Sequence, residues 1–202
     1  WYSNTTNSNT GGTLIAGAIT DTFTPPTVTV GVFYYYLVIT FTSGGCNEII
    51  SNTATFEVVE GPQIDTQPIA TQSICLGGSS DVLTVTNTGG TGTITYQWYS
   101  NNTSSNAGGT LIAGATNSSY TPPVFNTIGT YYYYVIISVD GNGCRDTTSQ
   151  VSEIIVVDDP VVDSQPIASQ ELCQNATPVD LAVTITGGLG NISYQWYSNT
   201  TN

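Results

Sequence analysis

The motif Tyr-Gln-Trp-Tyr-Ser constrains the fold of this chain more than any other feature of the sequence. It occurs at 96–100 and at 194–198, and the sequence opens with its last three letters, Trp1-Tyr2-Ser3. These copies contain all three tryptophans, which stand 97 and 98 residues apart. Residues 196–202 also repeat residues 1–7 letter for letter. The sequence therefore predicts tandem repeats of about 98 residues.

Other landmarks recur in the same register, which places the repeat boundaries. Gly-Gly-Thr-Leu-Ile-Ala-Gly-Ala occurs at 11–18 and 108–115, and Gln-Pro-Ile-Ala occurs at 67–70 and 165–168. We predict the back part of one repeat at 1–60, a complete repeat at 61–158 and the front part of the next at 159–202. Because the sequence starts inside a motif and lacks an initiator Met, we expect an internal piece of a longer array.

The hydrophobic pattern within the complete repeat is typical of strands. Apolar Ile94, Tyr96 and Trp98 alternate with polar Thr95 and Gln97, which directs the tryptophan into a core. The odd positions from 131 to 139 are predicted to point inward in the same way. Short strands separated by turn residues predict an all-β fold, a two-sheet sandwich, with strands at 67–75, 81–87, 93–100, 110–113, 117–121, 130–139 and 144–157.

Composition excludes several functions. The chain has fourteen acids, one Arg, no Lys and no His, for a net charge of −13. Nucleic acid and anionic membrane are poor partners for such a surface, and no apolar run is long enough for membrane insertion. Without His or Lys, neither a Ser-His-Asp triad nor a Lys nucleophile can form, so we predict no enzyme. A surface of Thr, Ser, Asn and Gly is typical of an extracellular β-protein.

Five motifs in order carry a family resemblance: Cys-x-Gly (75–77), Tyr-Gln-Trp (96–98), Ala-Thr-x-x-x-Tyr-Thr-Pro-Pro (115–123), Gly-Thr-Tyr-Tyr-Tyr (129–133) and Gly-Cys (143–144). This order resembles the immunoglobulin-like repeats of very large Bacteroidota cell-surface proteins, including gliding adhesins of the type 9 secretion system. The resemblance implies tandem immunoglobulin-like sandwiches in an extracellular, cell-surface setting. We predict a structural or adhesive stalk or filament segment. The alternatives are a carbohydrate-binding module and a passive spacer in a secreted multidomain enzyme.

The four cysteines recur at the repeat offset, Cys46 with Cys144 and Cys75 with Cys173. In an exported protein such cysteines indicate disulfides rather than metal ligands. One interpretation pairs Cys75 with Cys144 and leaves Cys46 and Cys173 with partners outside the sequence. The alternative joins the turn of one repeat to the hairpin of the next, because Cys75 and Cys144 fall at opposite ends of a straight sandwich.

Outward-facing tyrosines form a candidate contact surface. If Trp98 points inward, its neighbour on the predicted strand 93–100 points outward, and so do the even positions of the predicted strand 130–139. We predict one exposed aromatic patch per repeat, serving as a lateral seam between filaments or a stacking surface for glycans. Its members are Tyr99, Tyr132 and Tyr134, recurring as Tyr2, Tyr34 and Tyr36.

Acidic residues near the repeat junctions form a candidate calcium site, since Ca²⁺ takes six to eight oxygen ligands. The alternative is a solvated, charged linker. No other cofactor is predicted, and neighbouring repeats of the same chain are the expected partners. The acids concerned are Glu60, Asp65, Asp158, Asp159 and Asp163.

Overall fold

The structure is a computed structural model that describes residues 1–140 and 143–200. In those ranges the regular structure consists of strands alone, with no helix. This confirms the predicted all-β class. The chain divides into two compact units, the first formed by Trp1–Pro62, Gly89–Thr93 and Val139–Arg145, the second by Gln63–Thr88, Ile94–Ser138 and Asp146–Asn202. The repeat boundaries at 60 and 158 stay a prediction.

The first unit contains a four-stranded antiparallel sheet in the order β2-β1-β3-β6. Its longest strand carries the run Val-Phe-Tyr-Tyr-Tyr, and aromatic and β-branched residues of this kind favour strands. β4 and β5 form a separate antiparallel pair. The strands are β1 (Tyr2–Asn4), β2 (Thr13–Leu14), β3 (Gly31–Tyr36), β4 (Val38–Ile39), β5 (Ile49–Ile50) and β6 (Ala54–Val58).

The remaining strands are β7 (Gln63–Thr66), β8 (Thr71–Cys75), β9 (Leu83–Thr84), β10 (Thr86–Thr88), β11 (Ile94–Asn101), β12 (Thr110–Leu111), β13 (Ser119–Tyr120), β14 (Gly129–Val139), β15 (Thr147–Thr148), β16 (Ser152–Val157), β17 (Val161–Ser164) and β18 (Thr184–Thr186). One sheet has the order β12-β11-β14-β16-β8, and β15 also pairs with β14. β8 runs parallel to β16, whereas β12 pairs antiparallel with β11, and β15 and β16 pair antiparallel with β14. The opposite layer contains the pairs β7–β10 and β9–β13. This two-layer order is that of an immunoglobulin-like sandwich.

The core of the sandwich lies around Trp98, which is fully buried. Its indole Nε1–H donates to the Asn117 carbonyl at 2.9 Å, so the one polar atom of the ring is satisfied. The odd positions of β14 point inward as predicted, because alternate side chains of a strand face opposite sides. The buried cluster consists of Leu83, Val85, Trp98, Phe125, Tyr133, Val135, Ile137, Ile154 and Val156.

The last predicted strand, 144–157, is interrupted by a serine. Ser149 is fully buried between β15 and β16. Its Oγ accepts from the Val135 N–H at 3.0 Å and donates to the Gln150 carbonyl at 2.8 Å. Ser51 does the same in the first unit, accepting from the Leu37 N–H at 2.9 Å. The serine hydroxyl thus replaces a ladder hydrogen bond where the strand breaks.

Candidate functional site: the stacked tyrosines and the loop that covers them

Neighbouring strands bring two tyrosines of the predicted patch into contact. Tyr99 on β11 stacks on Tyr134 on β14, with ring centroids 5.1 Å apart and planes at 6°. Tyr2 and Tyr36 stack in the same way in the first unit, at 5.2 Å and 8°. The sequence repeat is therefore also a repeat of side-chain geometry.

A glycine-containing loop closes over each stacked pair. The Gly109 N–H donates to the Tyr134 hydroxyl at 3.0 Å, and the Gly12 N–H donates to the Tyr36 hydroxyl at 3.1 Å. A Cβ on Gly109 would lie 2.6 Å from the Ser100 carbonyl oxygen and 2.9 Å from Tyr134 Cε1. Only glycine fits this contact, which explains the second glycine of the repeated Gly-Gly-Thr-Leu motif.

The loop is held in shape by an asparagine at its start. Asn101 Nδ2 donates to the carbonyls of Ser105 at 2.9 Å and Ala107 at 3.1 Å, and its Oδ1 accepts from the Asn102 N–H. Asn4 makes the same bonds one repeat earlier, to Ser8 at 2.9 Å and Thr10 at 3.0 Å. Side-chain bonds of this kind to nearby backbone fix a turn locally. We call the stacked tyrosines, the contact glycine and the asparagine-closed loop the tyrosine–loop unit.

The predicted exposed aromatic patch is wrong for two of its members. Tyr134 is 2% exposed and Tyr36 is 4% exposed, because the loop of the tyrosine–loop unit covers the sheet face that alternation assigns to solvent. The other four members, Tyr99, Tyr132, Tyr2 and Tyr34, are half-buried. Neither set of three tyrosines forms one open aromatic surface, so flat stacking on a sugar loses its geometric basis.

Tyr120 and Tyr133 lie on the core side. Their ring centroids are 5.6 Å apart, and Tyr120 also packs against Trp98 at 5.9 Å. Burial raises the pKa of Tyr120. Burial, followed by the neighbouring Tyr120 and Tyr131 phenols, raises the pKa of Tyr133 to about 12. These shifts come from core packing, so they favour the neutral phenols and supply no base near neutral pH.

All four cysteines lie in the described part of the chain and carry free thiols. Cys46 and Cys173 are exposed, whereas Cys75 and Cys144 are half-buried. Cys75 is the last residue of β8 and pairs in register with Val157 of β16. The preceding residue of β16, Val156, pairs with Gly129, the first residue of β14. Cys75 therefore lies beside the start of β14. Cys144 follows the opposite end of the same 11-residue strand. The Cys75–Cys144 bridge and its inter-repeat alternative stay predictions.

The structure does not gather the junction acids into one site. Among residues 1–140 and 143–200, no group of three or more His, Cys, Asp or Glu side chains is placed to hold a metal ion. Asp65 accepts from the Thr88 hydroxyl at 2.9 Å, and Asp163 accepts from Thr186 at 2.8 Å. Within the second unit, a pocket of about 350 Å³ is lined by Leu76, Asp158, Asp159, Val161, Thr186 and Gly187.

The Glu60 backbone carbonyl accepts a hydrogen bond from the Gly90 N–H at 2.7 Å. The Asp158 carbonyl accepts from Gly188 at 2.9 Å in the next repeat. The junction acids therefore recur as acceptors, through their backbone carbonyls or by accepting from threonine hydroxyls, which the sequence pattern did not predict.

No helix in the described residues has the length and hydropathy needed to cross a bilayer.

Comparison with known proteins finds a family model and solved structures that are similar to parts of this chain. Residues 66–158 match a family described as a domain of unknown function, DUF8696. No curated protein matches the chain. Immunoglobulin domains 1–5 of Sidekick-1 align at 14% identity and TM-score 0.38, over 71% of this chain and 30% of theirs. The I-band fragment I67–I69 of titin aligns at 14% identity and TM-score 0.38, over 70% and 47%. This chain thus spans less than half of either solved structure, and the fold assignment rests on the strand order above.

Proposed function

We propose that this chain is a structural or adhesive segment of an extracellular cell-surface protein built from tandem immunoglobulin-like repeats. The observation that carries the proposal is the duplicated tyrosine–loop unit. Its ring separations agree between copies, 5.1 and 5.2 Å, and so do its glycine bonds, 3.0 and 3.1 Å. Loops that recognise ligands usually vary on a fixed scaffold. Here the loop recurs together with the sheet, and in both copies its asparagine side chain donates to carbonyls of the loop itself. This favours a structural role over ligand recognition.

The chemistry of the surface supports the extracellular setting. With one cationic side chain, fourteen acids and 7% charged residues, the chain has a hydroxyl- and amide-rich exterior. The free thiols at recurring positions are compatible with disulfides formed after export. The finer proposal, a stalk or filament like those of giant bacterial surface adhesins, rests on the order of sequence motifs.

Proteolysis of intact cells tests the location. An antibody against the 202-residue chain should lose its signal when intact cells are treated with protease, while a cytosolic marker survives. A signal that is protected until the cells are lysed would contradict the surface assignment.

Binding assays test the structural role. We expect the purified chain to give no saturable signal on a glycan array. Tyr99→Ser and Tyr132→Ser change the two half-buried members of the predicted patch in the complete repeat, and Thr116→Ser is a surface control that alters no tyrosine. Saturable glycan binding that both tyrosine variants remove and the control retains would replace the structural role with carbohydrate recognition.

A further inference from the structure

The chain crosses the predicted repeat boundary at 158 with two consecutive carbonyls bonded to different strand pairs. The Leu76 N–H donates to the Val157 carbonyl at 2.9 Å, which extends the pairing of β8 with β16. The Gly188 N–H donates to the Asp158 carbonyl at 2.9 Å, which extends the pairing of β17 with β18. Val157 is therefore held by the complete repeat, and the very next residue is held by the segment that follows it.

A Gly-Gly turn packs directly on the backbone of this crossing. Gly187 has a φ of +73°, and a Cβ there would collide with the Asp159 carbonyl oxygen and lie 3.1 Å from the carbonyl carbon. A Cβ on Gly188 would lie 3.0 Å from the Cβ of Pro160. Because glycine adopts positive φ without strain and lacks a Cβ, it permits both the turn and the close approach.

Covalent geometry restricts the same crossing from within the chain. Three residues, 158–160, lie between the end of β16 and the start of β17. The ring of Pro160 fixes its φ near −65°, and Asp159, as the residue before a proline, is biased towards extended conformations. Asp158 is held by its bond from Gly188. Each of the three residues is thus restricted by a separate cause.

The same arrangement occurs at the earlier predicted boundary, near residue 60. The Gly90 N–H donates to the Glu60 carbonyl at 2.7 Å. A Cβ on Gly89 would collide with the Gly61 carbonyl oxygen and lie 3.3 Å from the carbonyl carbon. Pro62 follows, and it is buried. The crossing reads Glu-Gly-Pro here and Asp-Asp-Pro at 158–160, so the proline and the Gly-Gly turn recur although the residue before the proline does not.

We propose that residues 157–161 are a joint without a hinge, so that the complete repeat and the β17–β18 pair move as one body. Hinges are residues that absorb large changes of φ and ψ. Such a change at this joint would have to break the bond to Val157 or the bond to Asp158. The Gly187-Gly188 turn is the element that holds the joint. This inference goes beyond the proposed function and does not depend on where the protein is located.

Nuclear magnetic resonance of the isotope-labelled 202-residue chain under reducing conditions tests the proposal. We expect backbone order parameters of about 0.85 at Val157, Asp158, Asp159 and Val161, the value of rigid backbone, whereas flexible backbone gives less than about 0.6. Order parameters report only fast motion. Residual dipolar couplings also respond to slower reorientation, and those of β8, β16, β17 and β18 should fit a single alignment tensor.

Gly187→Ala should loosen the joint, because the new Cβ displaces the Asp159 carbonyl and with it the bond from Gly188 to Asp158. The order parameters of Asp158, Asp159 and Val161 should fall below about 0.6, and β17–β18 should require an alignment tensor of its own. Gly114→Ala is the matched control. Gly114 has a φ of +77° and its Cβ would meet nothing within 4 Å, so this variant adds similar backbone strain without the contact. It should leave the joint ordered.

Cross-strand signals between Val161 and Thr186, which pair in register, show whether the β17–β18 pair stays folded in Gly187→Ala. If they are lost, the wild-type order parameters and couplings decide alone. The proposal is overturned if the wild-type joint has order parameters below about 0.6, or if the wild-type couplings need two alignment tensors. It is also overturned if Gly187→Ala leaves the joint as ordered as in the wild type, or if Gly114→Ala loosens it equally.

Discussion

Replacing Gly109 by alanine should destabilise the complete repeat through the tyrosine–loop unit. The new Cβ would lie 2.6 Å from the Ser100 oxygen and 2.9 Å from Tyr134 Cε1, well inside ordinary contact distance. Relief requires the loop to move away from Tyr134, which lengthens the 3.0 Å bond from the Gly109 N–H. Because Tyr134 is 2% exposed, water does not readily replace that bond.

The magnitude follows from two opposing effects. Overpacking a filled site costs about 1–3 kcal/mol, and leaving a buried hydrogen-bonding group unpaired costs about 1–3 kcal/mol. Restricting the unfolded chain by a Gly→Ala change returns about 0.4–1 kcal/mol. We expect the free energy of unfolding to fall by about 2–4 kcal/mol, a large part of the stability of a typical domain.

Guanidinium unfolding followed by far-UV circular dichroism measures this change, since the midpoint should fall while the slope is retained. Gly61→Ala is the control, because a Cβ there meets nothing within 4 Å. Tyr134→Phe separates the hydroxyl from the ring: it removes the bond but keeps the stack, and should cost about 1–2 kcal/mol. If Gly109→Ala is within about 0.5 kcal/mol of the wild type, the loop is not packed as described and the reasoning fails.

Three other perturbations test the core and the junction. Trp98→Ala should lower the free energy of unfolding by about 3–5 kcal/mol, and a loss below about 1 kcal/mol would place the ring outside the core. Tyr133 has a folded-state pKa of about 12, above the usual value near 10, so its contribution is full below about pH 10 and is lost as pH rises through about 12. The wild type should therefore lose up to about 3 kcal/mol more than Tyr133→Phe between about pH 9 and 12, and equal losses would contradict the shift. Added Ca²⁺ should leave the melting temperature unchanged, because the described acids form no cluster of three or more; a rise that a chelator reverses would support the calcium site instead.

The sequence predicts the strand faces well where the rule is local. Alternation along a strand follows from backbone geometry, so Trp98 and the inward positions of β14 could be assigned from the letters alone. Tyr134 could not, since alternation tells which face a residue occupies but not what covers that face. Tyr134 is covered by a loop whose Gly109 N–H donates to the Tyr134 hydroxyl. In the sequence, only the recurrence of this glycine as Gly12 indicated that it has a structural role.

The break in the last strand shows the same limit. The strand predicted at 144–157 is not continuous, because Ser149 interrupts it with a buried hydroxyl. The recurrence of this serine as Ser51 at the repeat offset was the available indication. The placement of the junction acids could not be read from the sequence either, because closeness along the sequence does not place side chains around one point. Asp65 and Asp163 each bond to a threonine on a paired strand instead.

The parallel pairing of β8 with β16 determines how the complete repeat responds to tension along the chain. β8 lies near the beginning of the repeat and β16 at its end, and their register runs from Thr71–Glu153 to Cys75–Val157. A pull on the two ends of the repeat drives these strands past each other along their common axis. Five register pairs then bear the load simultaneously in shear, rather than opening one after another as in a peeled hairpin. The resistance of the repeat to stretching is therefore set by the whole ladder, and a change that removes one backbone donor within β8 weakens all of it.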